Sequence, residues 1–172
     1  VVHYALRTPG ITGISEIAKE YKAKDSTADF HKLVAKLANI DRREAKTINL
    51  GLFYGMGQAK LQAQLGINNE GEAKALINNY HHKVPFVKQL MNSVMNRAQN
   101  SGQIRTIGGR LCRFNKWEPK DWDRRELYDT WEEAARENGR GNVKRAFTYK
   151  ALNRLIQGSA ADMTKKAMIN LF

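Results

Sequence analysis

The stretch Asp41–Gly57, DRREAKTINLGLFYGMG, constrains the fold more than any other part of this chain. Asp41 followed by Glu44 is an Asp-x-x-Glu capping box, in which the two residues satisfy each other's orphaned backbone N–H groups, so a helix begins here. Gly55, Met56 and Gly57 set its end, because glycine weakens a helix and accepts the conformation that terminates one. At about 100° per residue, Arg42, Lys46, Leu50 and Tyr54 drift across an arc of roughly 120°, while Ala45, Ile48 and Leu52 fall on the other side. One face is for packing. The other carries positive charge at one end and a flat ring at the other.

Two cations in the first turns work against the helix dipole at a cost of about 0.3 to 1 kcal/mol each, and an anion bound there reverses the sign of that effect. Beside free backbone N–H groups, the planar fork of Arg42 and the mobile point charge of Lys46 would make a triphosphate clamp. A solvated charged face has the same spacing, and on spacing alone both readings stand. Gly51, Gly55 and Gly57 each lower helix propensity by about 1 kcal/mol relative to alanine, which points to close approach of something to the backbone.

The flanking sequence is mostly helical. ISEIAKEYKA has helical apolar spacing, and KDSTADF supplies polar start signals for a helix over HKLVAKLANI. AKLQAQLG is a short helix closed by Gly66; NEGEAKALINNYHHKV and PFVKQLMNSVMNRAQNSG follow, with Pro85 at a first helical position and Gly102 as a stop. The period then changes, and QIRTIGGRLCRF reads as a β-hairpin around Gly108 and Gly109. Asn115 to Asn142 is a charged excursion with Trp117, Trp122 and Trp131, a helix over RRELYDTWEEAARE and a flexible NGRGN. A last helical element runs from about Val143 towards Phe172, with Gly158 as its weak point.

Charge narrows the class of partner. Lysine and arginine outnumber aspartate and glutamate by 29 to 17, and this excess favours a polyanion such as nucleic acid. Two stretches carry it: His31–Gly66 has six basic residues against two acids, and Gly141–Phe172 six against one, around a balanced middle. Cys112 is the single cysteine, which excludes an intrachain disulfide and a cysteine-rich zinc site and fits a reducing, cytoplasmic compartment. No apolar run approaches the ~18 residues of a membrane span, so no membrane partner is expected. Val1 at one end and the apolar INLF at the other read as cuts inside a longer protein.

RREAKTINLGLFYGMG resembles the fingers helix of family A DNA polymerases, the group of bacterial DNA polymerase I and the T7-type phage replicases, whose pattern is Arg, three residues, Lys, three residues, Phe or Tyr, then Tyr-Gly. The resemblance implies that Arg42 and Lys46 bind the phosphates of the incoming dNTP, that Lys46 also protonates the leaving pyrophosphate, and that Tyr54 lies at the base of the nascent base-pair pocket. Leu50 departs from the pattern, standing where the family has a ring beside the nucleotide sugar, which implies altered sugar discrimination. DFHK resembles the family's Asp-x-His segment, so His31 is expected to contact the triphosphate; its eleven-residue spacing to Arg42 is closer to the phage enzymes.

ALNRLIQGSAADMTKKAM is a second match. Asn153 and Gln157 are helical neighbours whose amides would donate to minor-groove acceptors shared by all base pairs, checking pair shape without reading sequence. Tyr149 departs, standing where bacterial polymerase I has an arginine, so that a primer-terminus contact is either weakened or made by Arg145 or Lys150 instead. TIGGRLCRF resembles the Thr-x-x-Gly-Arg turn of the family, in which Arg110 would hold DNA backbone. Gly158, Ser159, Ala160 and Ala161 are small enough for close packing on the palm.

The implied fold is mainly α with a small β-hairpin: fingers helices over about 1–100, hairpin and inserted excursion over about 101–142, and a helix returning to the palm over about 143–172. The implied partners are primer-template DNA and dNTPs. The Mg²⁺ of such enzymes is held by Asp-x-Ser-x-x-Glu and His-Asp-Glu motifs, neither of which is in this sequence, so the chain alone is expected to be inactive. Two rival readings are a single-subunit RNA polymerase, whose usual Met-Thr after the lysine is replaced here by Leu50-Gly51, and a helical nucleic-acid-binding module without chemistry.

Overall fold

The computed structural model describes residues 1–22, 29–53, 56, 58–121, 123 and 126–171. The chain divides into two compact units, Val1–Ser93 and Val94–Phe172. The described elements of the first are all helices: α1 (Val2–Arg7), α2 (Ser15–Lys22), α3 (Phe30–Ala38), α4 (Arg42–Phe53), α5 (Gln58–Leu65), α6 (Glu70–Lys83) and the start of α7 (Pro85–Ser101). Asp29 caps α3, accepting from the backbone N–H of His31 and Lys32. The helix ends on Asn39 in the left-handed region, with Asn39 N–H on Lys36 O and Ile40 N–H on Ala35 O, the paired bonds of a Schellman stop.

The capping box opens α4 as expected. Asp41 accepts from Arg43 N–H at 2.7 Å, and Glu44 reaches back to Asp41 N–H at 3.1 Å. Gly66, at φ +71°, closes α5 with the same two bonds, to Ala63 O and Gln62 O. Met56 N–H bonds Gly51 O at 2.8 Å beyond the end of α4. The close approach expected at Gly51 comes from the protein itself: a Cβ there would lie 2.8 Å from Leu61 Cδ1 of α5. Gly55 and Gly57 lie outside the described residues.

Helix α3 packs on α4, and α6 packs on both α3 and α5. Ala45 and Ile48 are fully buried, as the wheel predicts, together with Val34, Ala38, Ala73, Tyr80, Val84 and Phe86. Phe30 meets both Phe53 and Phe86, with ring centroids 6.2 Å apart in each case.

In the second unit the hairpin forms as read, with β1 (Gln103–Arg105) antiparallel to β2 (Leu111–Arg113) and Ile104 opposite Cys112. The excursion differs from expectation. β3 (Trp117–Pro119) pairs antiparallel with β4 (Val143–Arg145), so the last helix does not begin at Val143. Residues 126–130 of the expected helix are not helical: Tyr128 bridges to Trp117, Thr130 caps on Glu133 N–H, and the helix there is α8 (Trp131–Asn138); Arg124 and Arg125 lie outside the described residues. Three-residue pairings between distant segments leave too little periodicity to read in a sequence. NGRGN is a bonded turn, Asn142 N–H to Gly139 O at 3.0 Å.

This excursion has its own small core, in which Trp117, Tyr128 and Trp131 pack on Ala134, Ala135 and Val143. Trp117 and Trp131 thus pack the excursion itself, and Trp122 lies outside the described residues. After a 3₁₀ turn at Thr148–Lys150 the chain enters α9 (Ala151–Leu171).

Candidate functional site

The basic end of α4 is built by Asp29 as much as by α4 itself. One Asp29 oxygen caps α3; the other accepts from Arg42 Nε at 3.0 Å and Nη2 at 2.5 Å. A single carboxylate thus ties the start of α3 to the start of α4 and fixes the guanidinium. The Arg42 hydrogen bond, helped by the N–H groups it caps, holds the Asp29 carboxyl below its ordinary range. Sequence reading found Asp29 only as a start signal and in the Asp-x-His segment. Its tie to Arg42 joins residues thirteen positions apart, and no local pattern announces it.

His31 sits in the first turn of α3, half-buried. Burial lowers its pKa most; Asp29 opposes this, and the charges of Arg42 and Lys46 add to the lowering. His31, Arg42 and Lys46 therefore share one electrostatic environment, with Lys46 exposed on α4 and Leu50 half-buried one turn on. Tyr54 lies outside the described residues.

Behind His31 is a network that sequence reading missed. Asn49 is fully buried on α4; its Nδ2 lies 3.2 Å from His31 Nδ1, and its Oδ1 accepts from the fully buried Tyr80 hydroxyl. Desolvation pushes the Tyr80 phenol well above its ordinary pKa, so it stays a donor. The available signal was Asn49 itself, a polar amide on the packing side of the wheel, which a helix buries only when it is bonded.

In the second unit, α9 carries the other group of nominated residues. Asn153 is half-buried, with its Oδ1 enclosed and meeting no donor among the described residues, and Gln157 is exposed one turn on. Tyr149 is 47% exposed, with Lys150 Nζ 5.4 Å from its ring centre. Arg145 turns inward, donating to Gln99 O and Phe114 O while stacking 4.4 Å from the Trp117 ring centre, which leaves Lys150 as the nearer cation.

Arg110 also bonds inward. Its Nε donates to Asp162 at 3.0 Å and its Nη2 to Gly158 O at 2.9 Å, while Ser159 Oγ accepts from Ile107 N–H at 3.1 Å. The hairpin turn is thereby seated on α9. The small residues at Gly158 and Ser159 receive this turn, while Ala160 and Ala161 are exposed. Gly158 is a contact point rather than a weak point: a Cβ would stand 2.8 Å from Thr106 Cγ2.

Among the described residues no group of three His, Cys, Asp or Glu side chains could hold a metal ion, and no helix is long and apolar enough to cross a membrane.

Residues 12–172 match the DNA polymerase family A profile. The chain is 35% identical over 206 aligned residues to a DNA-directed DNA polymerase of Pseudomonas phage M6, covering 98% of this chain and 28% of that protein. It is 38% identical over 132 residues to DNA polymerase I of Streptococcus pneumoniae, covering 76% of this chain and 13% of that enzyme. Among solved structures it is similar to the POL domain of Pol1 from M. smegmatis in complex with DNA primer-template and dNTP, with a TM-score of 0.61 and 28% identity over 87% of this chain and 24% of the other. The chain spans less than a third of the length of these relatives. The capped, basic helix α4, the hairpin seated on α9 and these matches agree: this chain belongs to the family A DNA polymerases.

Proposed function

We propose that this chain forms the nucleotide-handling part of a template-directed DNA polymerase, binding the incoming dNTP at the α3–α4 end and primer-template DNA along α9. The observation that carries the reading is the convergence of His31, Arg42 and Lys46 at one end of two packed helices, with Arg42 anchored by Asp29. The relative from M. smegmatis was solved with primer-template and dNTP, which supports both ligands here.

Phosphoryl transfer is dominated by in-line positioning and charge neutralisation, and three clustered basic groups would supply the second. Arg42 would take a phosphate by its fork, His31 by a ring N–H, and Lys46 as a mobile cation that gives a proton to the departing pyrophosphate. Tyr54 would close the base end of the pocket, and Leu50 would face the sugar with a branched aliphatic group instead of a ring. On α9, Asn153 and Gln157 would donate to the minor groove of the terminal pairs. Tyr149 and Lys150 would approach the primer strand, and Arg110 would serve that surface by fixing the hairpin turn.

The described residues do not themselves fit a Mg²⁺ site, so we assign the metal of the parent enzyme to ligands outside this chain and route no step through it. On this reading residues 1–100 are fingers, 101–142 hairpin and excursion, and 143–172 the return to the palm. The source is a phage, its site of action the host cytoplasm, and the 172-residue chain by itself does not extend a primer. Primer extension by the polymerase carrying this chain, with the four dNTPs offered singly against each template base, tests the function. Incorporation independent of the template base, or incorporation of ribonucleotides in preference, would refute it.

A further inference from the structure

We propose that Tyr80 and Asn49 are positioning residues that hold His31 as the neutral tautomer with its proton on Nε2, so that its outward ring nitrogen is always a hydrogen-bond donor. The inference rests on the reading of His31 as a phosphate contact and adds which residues make it one.

The Tyr80 hydroxyl is fully buried, and Asn49 Oδ1 is its one acceptor among the described residues. With its oxygen so engaged, Asn49 presents the amide nitrogen to His31, and an amide nitrogen has only hydrogens to offer. His31 Nδ1, 3.2 Å away, must therefore hold a lone pair, which leaves the ring proton on Nε2. In the opposite arrangement, with the amide reversed, Asn49 would donate to the Tyr80 oxygen. The phenolic hydrogen would then lack an acceptor among the described residues, in a place closed to water.

The functional consequence is one of sign. A neutral imidazole with its proton on Nδ1 turns a lone pair toward its surroundings and repels a phosphate oxygen until it is protonated. The Nε2–H form donates without protonation. That suits this site, because burial and the neighbouring Arg42 and Lys46 all disfavour a charged ring, with Asp29 alone opposing them. Asn49 and Tyr80 reach from α4 and α6 to set the ring's proton without touching the nucleotide.

Two measurements test this. Long-range ¹H–¹⁵N spectra of the ¹⁵N-histidine-labelled 172-residue chain, with the His31 signals identified by their loss in His31→Ala, report the tautomer directly. The expected result is an unprotonated Nδ1 and a protonated Nε2, with a mixed population in Tyr80→Phe. Asn49→Asp keeps an acceptor for Tyr80 but gives His31 a second acceptor in place of a donor, so the ring proton should move to Nδ1. A wild-type ring protonated on Nδ1, or a tautomer unchanged in Asn49→Asp, would overturn the proposal.

In the polymerase carrying this chain, Tyr80→Phe and Asn49→Asp should each raise KM for dNTP several-fold with kcat within twofold. Neither should add to the KM of His31→Ala. Additive effects would show that the two residues act only through general packing and would sink the positioning role. If His31→Ala itself leaves KM unchanged while the wild-type ring is an Nε2–H tautomer, the phosphate contact fails and the tautomer assignment survives.

Discussion

Replacing Gly158 by alanine sets two known quantities against each other. In a free helix the change is favourable by about 1 kcal/mol, because alanine loses less backbone entropy. Here the added methyl would stand 2.8 Å from Thr106 Cγ2 and 3.2 Å from Arg110 Nη2. Neither neighbour can swing aside freely. Thr106 is 6% exposed and its hydroxyl accepts from Arg110 N–H, while Arg110 Nη2 is bonded to the Gly158 carbonyl itself. Overpacking of this kind costs about 1 to 3 kcal/mol, and a broken turn bond adds about 0.5 to 1.5. The balance is a net loss of about 0.5 to 3.5 kcal/mol. Urea unfolding followed by tryptophan fluorescence, which reports on the unit containing Gly158, should show a lower midpoint at unchanged slope. The exposed Ala160→Gly, in the same helix, should lose about 1 kcal/mol through propensity alone. A Gly158→Ala protein with a raised midpoint would refute the claim that the hairpin turn is seated on α9 at this residue.

Four further outcomes are expected. Leu50→Phe in the polymerase carrying this chain should increase dideoxynucleotide incorporation relative to dNTP, read from termination ladders; an unchanged ratio would remove Leu50 from the sugar face. Gly66→Ala should destabilise the helical unit by about 1 kcal/mol or more, since a Cβ is strained at φ +71°, and circular dichroism melting would register it. Asp29 has a lowered folded pKa, so its stabilisation is present above the unfolded value of about 3.9 and is lost as pH falls through the folded one. Asp29→Asn keeps the cap and should flatten that acid limb in a pH series of unfolding midpoints. His31 also has a lowered folded pKa, so its contribution is complete above the unfolded value of about 6.5 and declines as pH falls below it. In a pH series of midpoints, His31→Gln should weaken the dependence below about pH 6.5.

Helices α3 to α7 could be read in advance because their signals are local: Asp41 with Glu44, Gly66 after Leu65, Pro85 at a helix start and Gly102 after its end. The hairpin showed for the same reason, as two short runs around a glycine pair. The pairing of β3 with β4 did not, since it joins residues 117–119 to 143–145 and neither run alternates long enough to be distinctive. α1 escaped because six residues hold too little pattern. In the site, spacing placed Arg42 and Lys46 on one face, but what fixes Arg42 and backs His31 lies elsewhere in the chain. Asp29 reaches Arg42 from the preceding helix, and Tyr80 reaches Asn49 across 31 positions. Arg110, nominated for DNA, is held by Asp162 at a distance of 52 positions. Side-chain bonds of this reach exist only once the fold is made, and a one-dimensional pattern does not contain them.

On the proposed function, the α3–α4 end binds the triphosphate of an incoming nucleotide. Single-turnover incorporation of one correct dNTP by the polymerase carrying this chain, comparing wild type with Lys46→Ala and Arg42→Ala, tests it most directly. Removing a preorganised charge from the transferring phosphates should lower kcat/KM by about 10²- to 10³-fold in each variant. DNA affinity, which this site does not set, should stay within a few-fold of wild type. Folded variants that incorporate dNTP at wild-type efficiency would contradict the account.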